Sequence, residues 1–248
     1  MIIDDLGFQP TLDDAALRLD SRVAVAIIPG APGTTRMAQA AAAQQRDILI
    51  HLPLSHSGTQ DCDAPICPRR EWSAERMREH LAWASDQVTG AVGLNNHQGS
   101  RFTADLGASR RLIEGLVLFN QERQQPLFVV DSRTTPHSQF AHAARSAGLP
   151  VGERSVFLDH IRTPEAIEAA WTQLLERARR DGSAIAIGHP YQHTLSFLAD
   201  ALPALDQTEI ELVRIGELVE AESGKSTLAQ AKRPAARAYR SSTAPSAP

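Results

Sequence analysis

Four short apolar runs in this chain each end on residues that can bind a cation or carry a proton, and that recurrence restricts the fold more than any single residue does. Asp47-Ile48-Leu49-Ile50 leads into His51-Leu52-Pro53. Ala91-Val92-Gly93-Leu94 leads into Asn95-Asn96-His97-Gln98-Gly99-Ser100-Arg101. Leu127-Phe128-Val129-Val130 leads into Asp131-Ser132-Arg133-Thr134-Thr135, and Ser183-Ala184-Ile185-Ala186-Ile187-Gly188 leads into His189-Pro190. The chain opens in the same way, with Ile2-Ile3 before Asp4-Asp5-Leu6-Gly7. Continuous apolar runs of this length read as strands covered on both faces. Parallel strands joined by helices share one mouth at their carboxyl ends, which is where α/β folds keep their chemistry. A lone histidine at a strand end is usually structural. Three histidines and two aspartate sites at the same end of different strands point to a common site.

The segments between these runs have helical patterning. Helices are predicted over Thr11–Leu19, Thr34–Arg46, Ser73–Gln87, Leu106–Gln121, Gln139–Ala147, Pro164–Arg180 and Thr194–Leu202, with Ser73 and Thr163 as caps. Strands are predicted at the opening and over Val23–Ile28, Ile48–Leu52, Ala91–Leu94, Leu127–Val130, Val151–Leu158 with an irregularity, Ala184–Ile187 and Ile210–Ile215. This alternation predicts an α/β fold, a distorted (β/α) barrel of about seven strands in one domain over residues 1–219. From Glu220 the composition collapses to Ala, Ser, Pro and basic residues, so 220–248 is expected to be a tail without a fold.

The opening carboxylates need a strand end. Inside a strand, successive side chains face opposite ways, and one of two adjacent aspartates would enter the core at a cost of several kcal/mol. Where the backbone turns, both can reach solvent, one as a metal ligand and the other as an ionised base beside the cation. Taken alone, Asp4-Asp5-Leu6-Gly7 reads equally well as a turn signal.

Charge and composition narrow the partners. The net charge is −4, but Lys225, Lys232, Arg233, Arg237 and Arg240 stand against a single Glu222 in the last segment, so the body is the more acidic part. An acidic body with 5% aromatic residues argues against a nucleic-acid partner. No apolar run approaches the length of a membrane span, and the opening MIIDDLG has neither a basic nor an apolar leader region. Cys62 and Cys67 share one loop, with a spacing that suits neither a CxxC redox pair nor a zinc site; a local disulfide and two free thiols are equally open.

The opening IIDDLG, the HLP segment, Asn95-Asn96-His97-Gln98-Gly99-Ser100-Arg101-Phe102-Thr103, the DSRTT segment and AIGHP, in this order, resemble the divergent polysaccharide deacetylases, a distant branch of the NodB-like carbohydrate esterase family 4 enzymes. The resemblance covers residues 1 to about 219. It implies a distorted barrel and one divalent metal, most readily Zn2+, held by an Asp and two His. Residue by residue, Asp4 falls on the catalytic base, Asp5, His51 and His97 on the metal ligands, and His189 on the general acid. The classical enzymes take two histidines from their second motif, whereas here His51 is followed by Leu52-Pro53-Leu54-Ser55-His56 and the second histidine comes from His97. Asn95, Asn96, Ser100, Arg101, Asp131 and Arg133 are candidates for substrate contacts or for support of the ligands, though Asn95 and Asn96 suit a turn equally well and Arg101, Asp131 and Arg133 more readily form structural ion pairs. His160, after Asp159, is a weaker candidate.

The function so implied is metal-dependent deacetylation of an N-acetylated envelope glycan, with a carbohydrate as substrate partner. A non-catalytic envelope protein that keeps the glycan cleft is the alternative, and a hydrolase for another ester or phosphoester is a third reading. The family resemblance suggests a periplasmic or envelope location. The chain as given shows no signal peptide, which leaves the cytoplasm as the alternative and an incomplete N-terminus as an expectation.

Overall fold

The computed structural model describes residues 1–56 and 66–231. It begins with β1 (Ile2–Leu6), α1 (Pro10–Ala16), β2 (Ala24–Ile27), α2 (Thr34–Ala43) and β3 (Ile48–Leu54). There follow α3 (Ala74–Gln87), β4 (Gly93–Gln98), the single turn α4 (Ser100–Thr103), α5 (Leu106–Gln121), β5 (Phe128–Asp131) and α6 (Phe140–Ser146). Two short strands, β6 (Val151–Glu153) and β7 (Val156–Phe157), precede α7 (Pro164–Asp181), β8 (Ala186–Gly188), α8 (Gln192–Ala204) and α9 (Ile215–Ala231). Pro164 at the first helical position and Thr163 accepting from the Ala166 N–H start α7, and Asp105 accepts from Ala108 to start α5. No described helix is long and apolar enough to cross a membrane.

All pairings are parallel, in the order β6-β5-β4-β3-β2-β1-β8-β7. The two outermost strands, β6 and β7, are consecutive in the chain, with only Arg154 and Ser155 between them. A dipeptide reaches across only a narrow gap, so the sheet must curl until its edges nearly meet, giving a distorted barrel whose seam is crossed by the chain itself. The segment read from sequence as one irregular strand over Val151–Leu158 is this crossing. The sheet has eight strands, against the barrel of about seven expected: this segment gives two, and the one expected over Ile210–Ile215 is absent.

Two apolar layers result from the period of two along each strand. Ile2, Ala24, Ala26, Leu49, Phe128, Val130, Ile185 and Ile187 line the barrel interior, together with Ile215 and Val219 of α9. The alternate residues, among them Ile3, Val25, Ile27, Ile48, Ile50, Val129 and Ala186, pack outward against the helices. Pro53 is tolerated within β3 because β2 pairs with β3 only as far as Ile50, which leaves that side open where proline lacks an N–H.

The expected strand over Ile210–Ile215 does not form: residues 210–214 are irregular and Ile215 opens α9. Ile215 and Val219 are spaced i, i+4 and plug the amino-terminal end of the barrel, so a helical period overrides a short β-branched run. The Gly216 N–H donates to Asp47 at the start of β3, which holds the plug in place. The helix runs to Ala231, across the boundary drawn from composition at Glu220, with Ser183 donating to Glu222; residues 232–248 of the expected tail lie outside those described. Cys67 is buried; the choice between a local disulfide and two free thiols turns on Cys62, which lies outside the described residues.

Candidate active site

The same alternation sorts the candidate residues. Asp4 follows Ile2 by two, His51 follows Leu49, Ser132 follows Val130 and His189 follows Ile187, so all continue the inward faces, Asp4 and His51 within β1 and β3, Ser132 and His189 just beyond β5 and β8. Asn95 and His97 alternate with the outward Leu94 and also face in. One step beyond the Ile3–Gly188 pair, Asp4 and His189 lie on neighbouring chain segments, Asp4 within β1 and His189 just after β8.

Asp5 is out of phase and would face the helices. The carboxylate pair lies within β1, not after it, and a different device brings both side chains to the mouth. Between Ile3 and Leu6, β1 carries one residue more than its partner, from Ile3–Val25 to Leu6–Ile27, and Asp5 takes a left-handed φ of 61°. This β-bulge re-aims the Asp5 side chain toward the histidines.

Asp5 Oδ1 lies 3.0 Å from His51 Nε2 and 2.8 Å from His97 Nδ1, and the two nitrogens are 3.2 Å apart. Three such distances define a triangle with a circumscribed radius of about 1.7 Å, shorter than the 2.0–2.2 Å of zinc–nitrogen and zinc–oxygen bonds. A point at bonding distance from all three atoms therefore exists just off their plane, and an Asp/His/His donor set suits zinc or a similar divalent ion. Among the described residues this is the one group of three side chains that can converge on a cation.

Asn95 organises the inner side of this cluster. Its Nδ2 donates to Asp4 Oδ1 at 2.8 Å and to Ser132 Oγ at 3.3 Å, while His51 Nδ1 donates to its Oδ1 at 2.8 Å. A carboxylate only accepts, so Asp4 fixes which way the amide points. The amide oxygen in turn requires a proton on His51 Nδ1, so Nε2, which donates to Asp5 Oδ1 while the ring is doubly protonated, is the nitrogen that would offer its lone pair to a cation. Asp4 is buried, with Oδ2 3.6 Å from His51 Nε2. Burial raises its pKa above the ordinary carboxylate range, against the pull of His51 and His189. Burial would also raise Asp5, but the hydrogen bonds with His51 and His97 outweigh it and hold that carboxyl well below the usual range. For His51, burial opposes the charge, yet the Asp4 and Asp5 carboxylates bring its pKa to about 9.

His189 follows β8 and is held by Asp159. Asp159 accepts from the His189 backbone N–H at 2.6 Å, from His189 Nδ1 at 2.7 Å and from Thr194 Oγ1 at 2.9 Å, which leaves Nε2 as the ring nitrogen not engaged by Asp159. Burial lowers the His189 pKa but Asp159 more than offsets it, so the net shift is upward. The ring packs against two others, Phe157 stacked at 5.8 Å and Tyr191 tilted at 5.6 Å. Arg154 lies over the Phe157 ring at 3.7 Å, and Arg162 over the Tyr191 ring at 3.8 Å.

Other predicted residues lie elsewhere. Asn96 faces outward, accepting from the Ser132 N–H and donating to the Gln98 carbonyl, so it ties the ends of β4 and β5 together. Neither asparagine sits in a turn, since both belong to β4. Asp131 and Arg133 do not pair through their side chains. Asp131 accepts from the Arg133 and Ala141 N–H groups and from Ser138 Oγ, which anchors α6, and Arg133 pairs with Glu153. Both follow from Asp131 taking the outward phase set by Val129. Ser100 and Arg101 begin α4 after the left-handed Gly99, and Arg101 is exposed. His160 is exposed, and its neighbour Asp159 is the residue that enters the site. Sequence reasoning missed Asp159 and Ser132, although each ends a strand-like run on the inward phase.

An α/β barrel with an Asp/His/His cluster, a second buried Asp and a further Asp-bound His at its carboxyl-terminal mouth defines a class of site in which a carboxylate and imidazoles surround one reaction centre. The chain belongs to the divergent polysaccharide deacetylase family, whose model matches residues 1–219. It is 32% identical over 219 residues to the uncharacterized protein YibQ of Escherichia coli K12, the match covering 88% of this chain and 66% of that protein. It is 35% identical over 219 residues to an uncharacterized protein of Haemophilus influenzae, covering 88% and 75% of the two chains. The chain thus spans about two thirds to three quarters of these relatives. The crystal structure of the uncharacterized protein ATU2773 from Agrobacterium tumefaciens C58 has the same fold, with a TM-score of 0.79 at 22% identity over 88% of this chain and 87% of that one.

Proposed function

We propose that this protein is a metal-dependent hydrolase that removes an acyl group from an N-acetylated glycan. The observation that carries the reading is the arrangement of two unlike acid–base groups around one ligand triangle: Asp4 beside His51, and Asp159-bound His189 on the neighbouring strand. Asp5, His51 and His97 would hold the cation, which when bound supplies a Lewis acid for the acyl carbonyl and makes water a better nucleophile at neutral pH.

The remaining steps belong to the chain. Asp4, with its pKa raised by burial, is a stronger base than an ordinary carboxylate and takes the proton from the attacking water. As the water oxygen bonds to the acyl carbon and the C–N bond breaks, His189 gives its proton to the departing nitrogen, releasing a free amine and a carboxylic acid. The upward shift caused by Asp159 keeps His189 protonated for this purpose. Asn95 keeps Asp4 and His51 in register, and the rings of Phe157 and Tyr191 fix the plane of the acid. A binding module that only holds a glycan has no need of a base and an acid beside a ligand cluster, which favours the enzyme over the non-catalytic alternative.

The test is acetate release from chito-oligosaccharides and peptidoglycan fragments with added zinc, cobalt or manganese. Asp4→Asn and His189→Ala are expected to lower turnover by about 10² or more, the usual scale for acid–base groups, with metal content nearly unchanged. Glycan binding without metal-dependent release, equal in wild type and Asp4→Asn, would establish the non-catalytic reading instead.

A further inference from the structure

Three loops on the His189 side of the mouth carry features that neither the fold nor the proton transfers use. They follow β1, β8 and β7, which are neighbours in the sheet. Phe8, after β1, is 55% exposed, and Ile161, after β7, is 61% exposed. With Ile66 these are the large apolar side chains exposed among the described residues, so two of the three stand on one rim. Tyr191, after β8, lies tilted on His189.

Arg162 completes this rim. Its guanidinium carbon lies over the Tyr191 ring, 3.8 Å from the centroid, and Nη2 donates to the Tyr191 hydroxyl at 2.7 Å. The other cations nearby are committed: Arg133 pairs with Glu153, and Arg154 donates to the Ser132 and Arg133 carbonyls. Arg162 makes no ion pair among the described residues. The ring contact and the hydroxyl hold the planar fork in a fixed orientation while the charge stays unmet, which is the preorganised form in which arginine recognises a carboxylate. Through Tyr191 it sits two ring spacings from His189, within the span of a disaccharide.

We infer that this rim is a subsite for an acidic sugar: the carboxylate of a saccharide pairs with Arg162, held on Tyr191, next along the glycan to the N-acyl sugar presented to His189, with the exposed Phe8 and Ile161 on the flanking loops. This rests on the deacetylase reading and names its substrate class. One unpaired guanidinium matches one negative charge. The Asp5 and Asp159 carboxylates act electrostatically on Tyr191 and oppose a second, so a carboxylate fits better than a phosphate monoester.

The experiment compares zinc-loaded full chain and Arg162→Gln by calorimetric titration with N-acetylated oligosaccharides that contain carboxylate-bearing sugars, and with the same oligosaccharides after reduction of the carboxyl groups to alcohols. Wild type is expected to bind the acidic form about tenfold more tightly, the scale of one charge-assisted hydrogen-bonded pair, with the preference shrinking at high salt. Arg162→Gln is expected to bring the ratio close to one. Equal affinity of wild type for the two forms, an unchanged ratio in Arg162→Gln, or no binding of either form would overturn the subsite. Acetate release measured on the same samples separates the two ideas. A preference for the acidic form without any release leaves the subsite standing and removes the enzyme, whereas equal binding of both forms with metal-dependent release does the reverse.

Discussion

Asn95 is the residue on which most of the site depends, although it is neither a ligand nor an acid–base group in this account. It satisfies Asp4, sets the proton on His51 and is fully buried. Asn95→Ala should therefore weaken zinc binding by about 10- to 100-fold, as loss of a supporting partner to a ligand usually does. It should also cost about 1–3 kcal/mol of stability by leaving Asp4 without its donor. Zinc titration and thermal melts of the variant check both, and unchanged affinity would dissociate Asn95 from the cluster. His51 gives a pH signature. With a pKa of about 9 against an ordinary 6.5, it adds stability to the metal-free fold that is fully present below 6.5 and lost as pH rises through 9. A cation must displace that proton, so apparent zinc affinity should climb by up to about tenfold per pH unit on the way to pH 9. Melts in chelator and zinc titrations across that range would show opposite trends; parallel trends would contradict the assignment.

Strands and loops decide how much of this was readable from sequence. The strand-end histidines and the alternation of elements were legible because both depend on local pattern. The phase of each strand was legible too: counting in twos from Leu49, Val130 and Ile187 selects His51, Ser132 and His189 and turns Asn96 and Asp131 away. The bulge at Asp5 was not, because an inserted residue shows only against the register of the neighbouring strand. Nor was the α9 plug, whose Ile215 and Val219 acquire meaning only once the barrel has an open end to close. At this scale Asp159 offers a prediction, since it joins the loops after β7 and β8. Asp159→Asn removes the charge that raises His189, so the basic limb of the pH–rate profile should move to lower pH, with stability also reduced. A profile that keeps its basic limb in place would show that His189 is not the acid.

Across the whole molecule, the barrel separates stability from chemistry. One end is sealed by α9 and the other carries the ligand triangle. Ile215→Ala should cost about 2–5 kcal/mol through the cavity it opens, yet leave zinc affinity of the folded protein unchanged. A drop in affinity comparable to that of Asn95→Ala would mean that the two ends are coupled. The central claim is that the Asp5, His51 and His97 cluster holds the cation that makes this chain a deacetylase. The most direct measurement is acetate release from an N-acetylated oligosaccharide as zinc is titrated into chelator-stripped protein, with Asp5→Asn alongside. Release that rises to a plateau at one equivalent per chain, and is absent from Asp5→Asn, is the predicted result; release that survives stripping, or none at any zinc level, would contradict it.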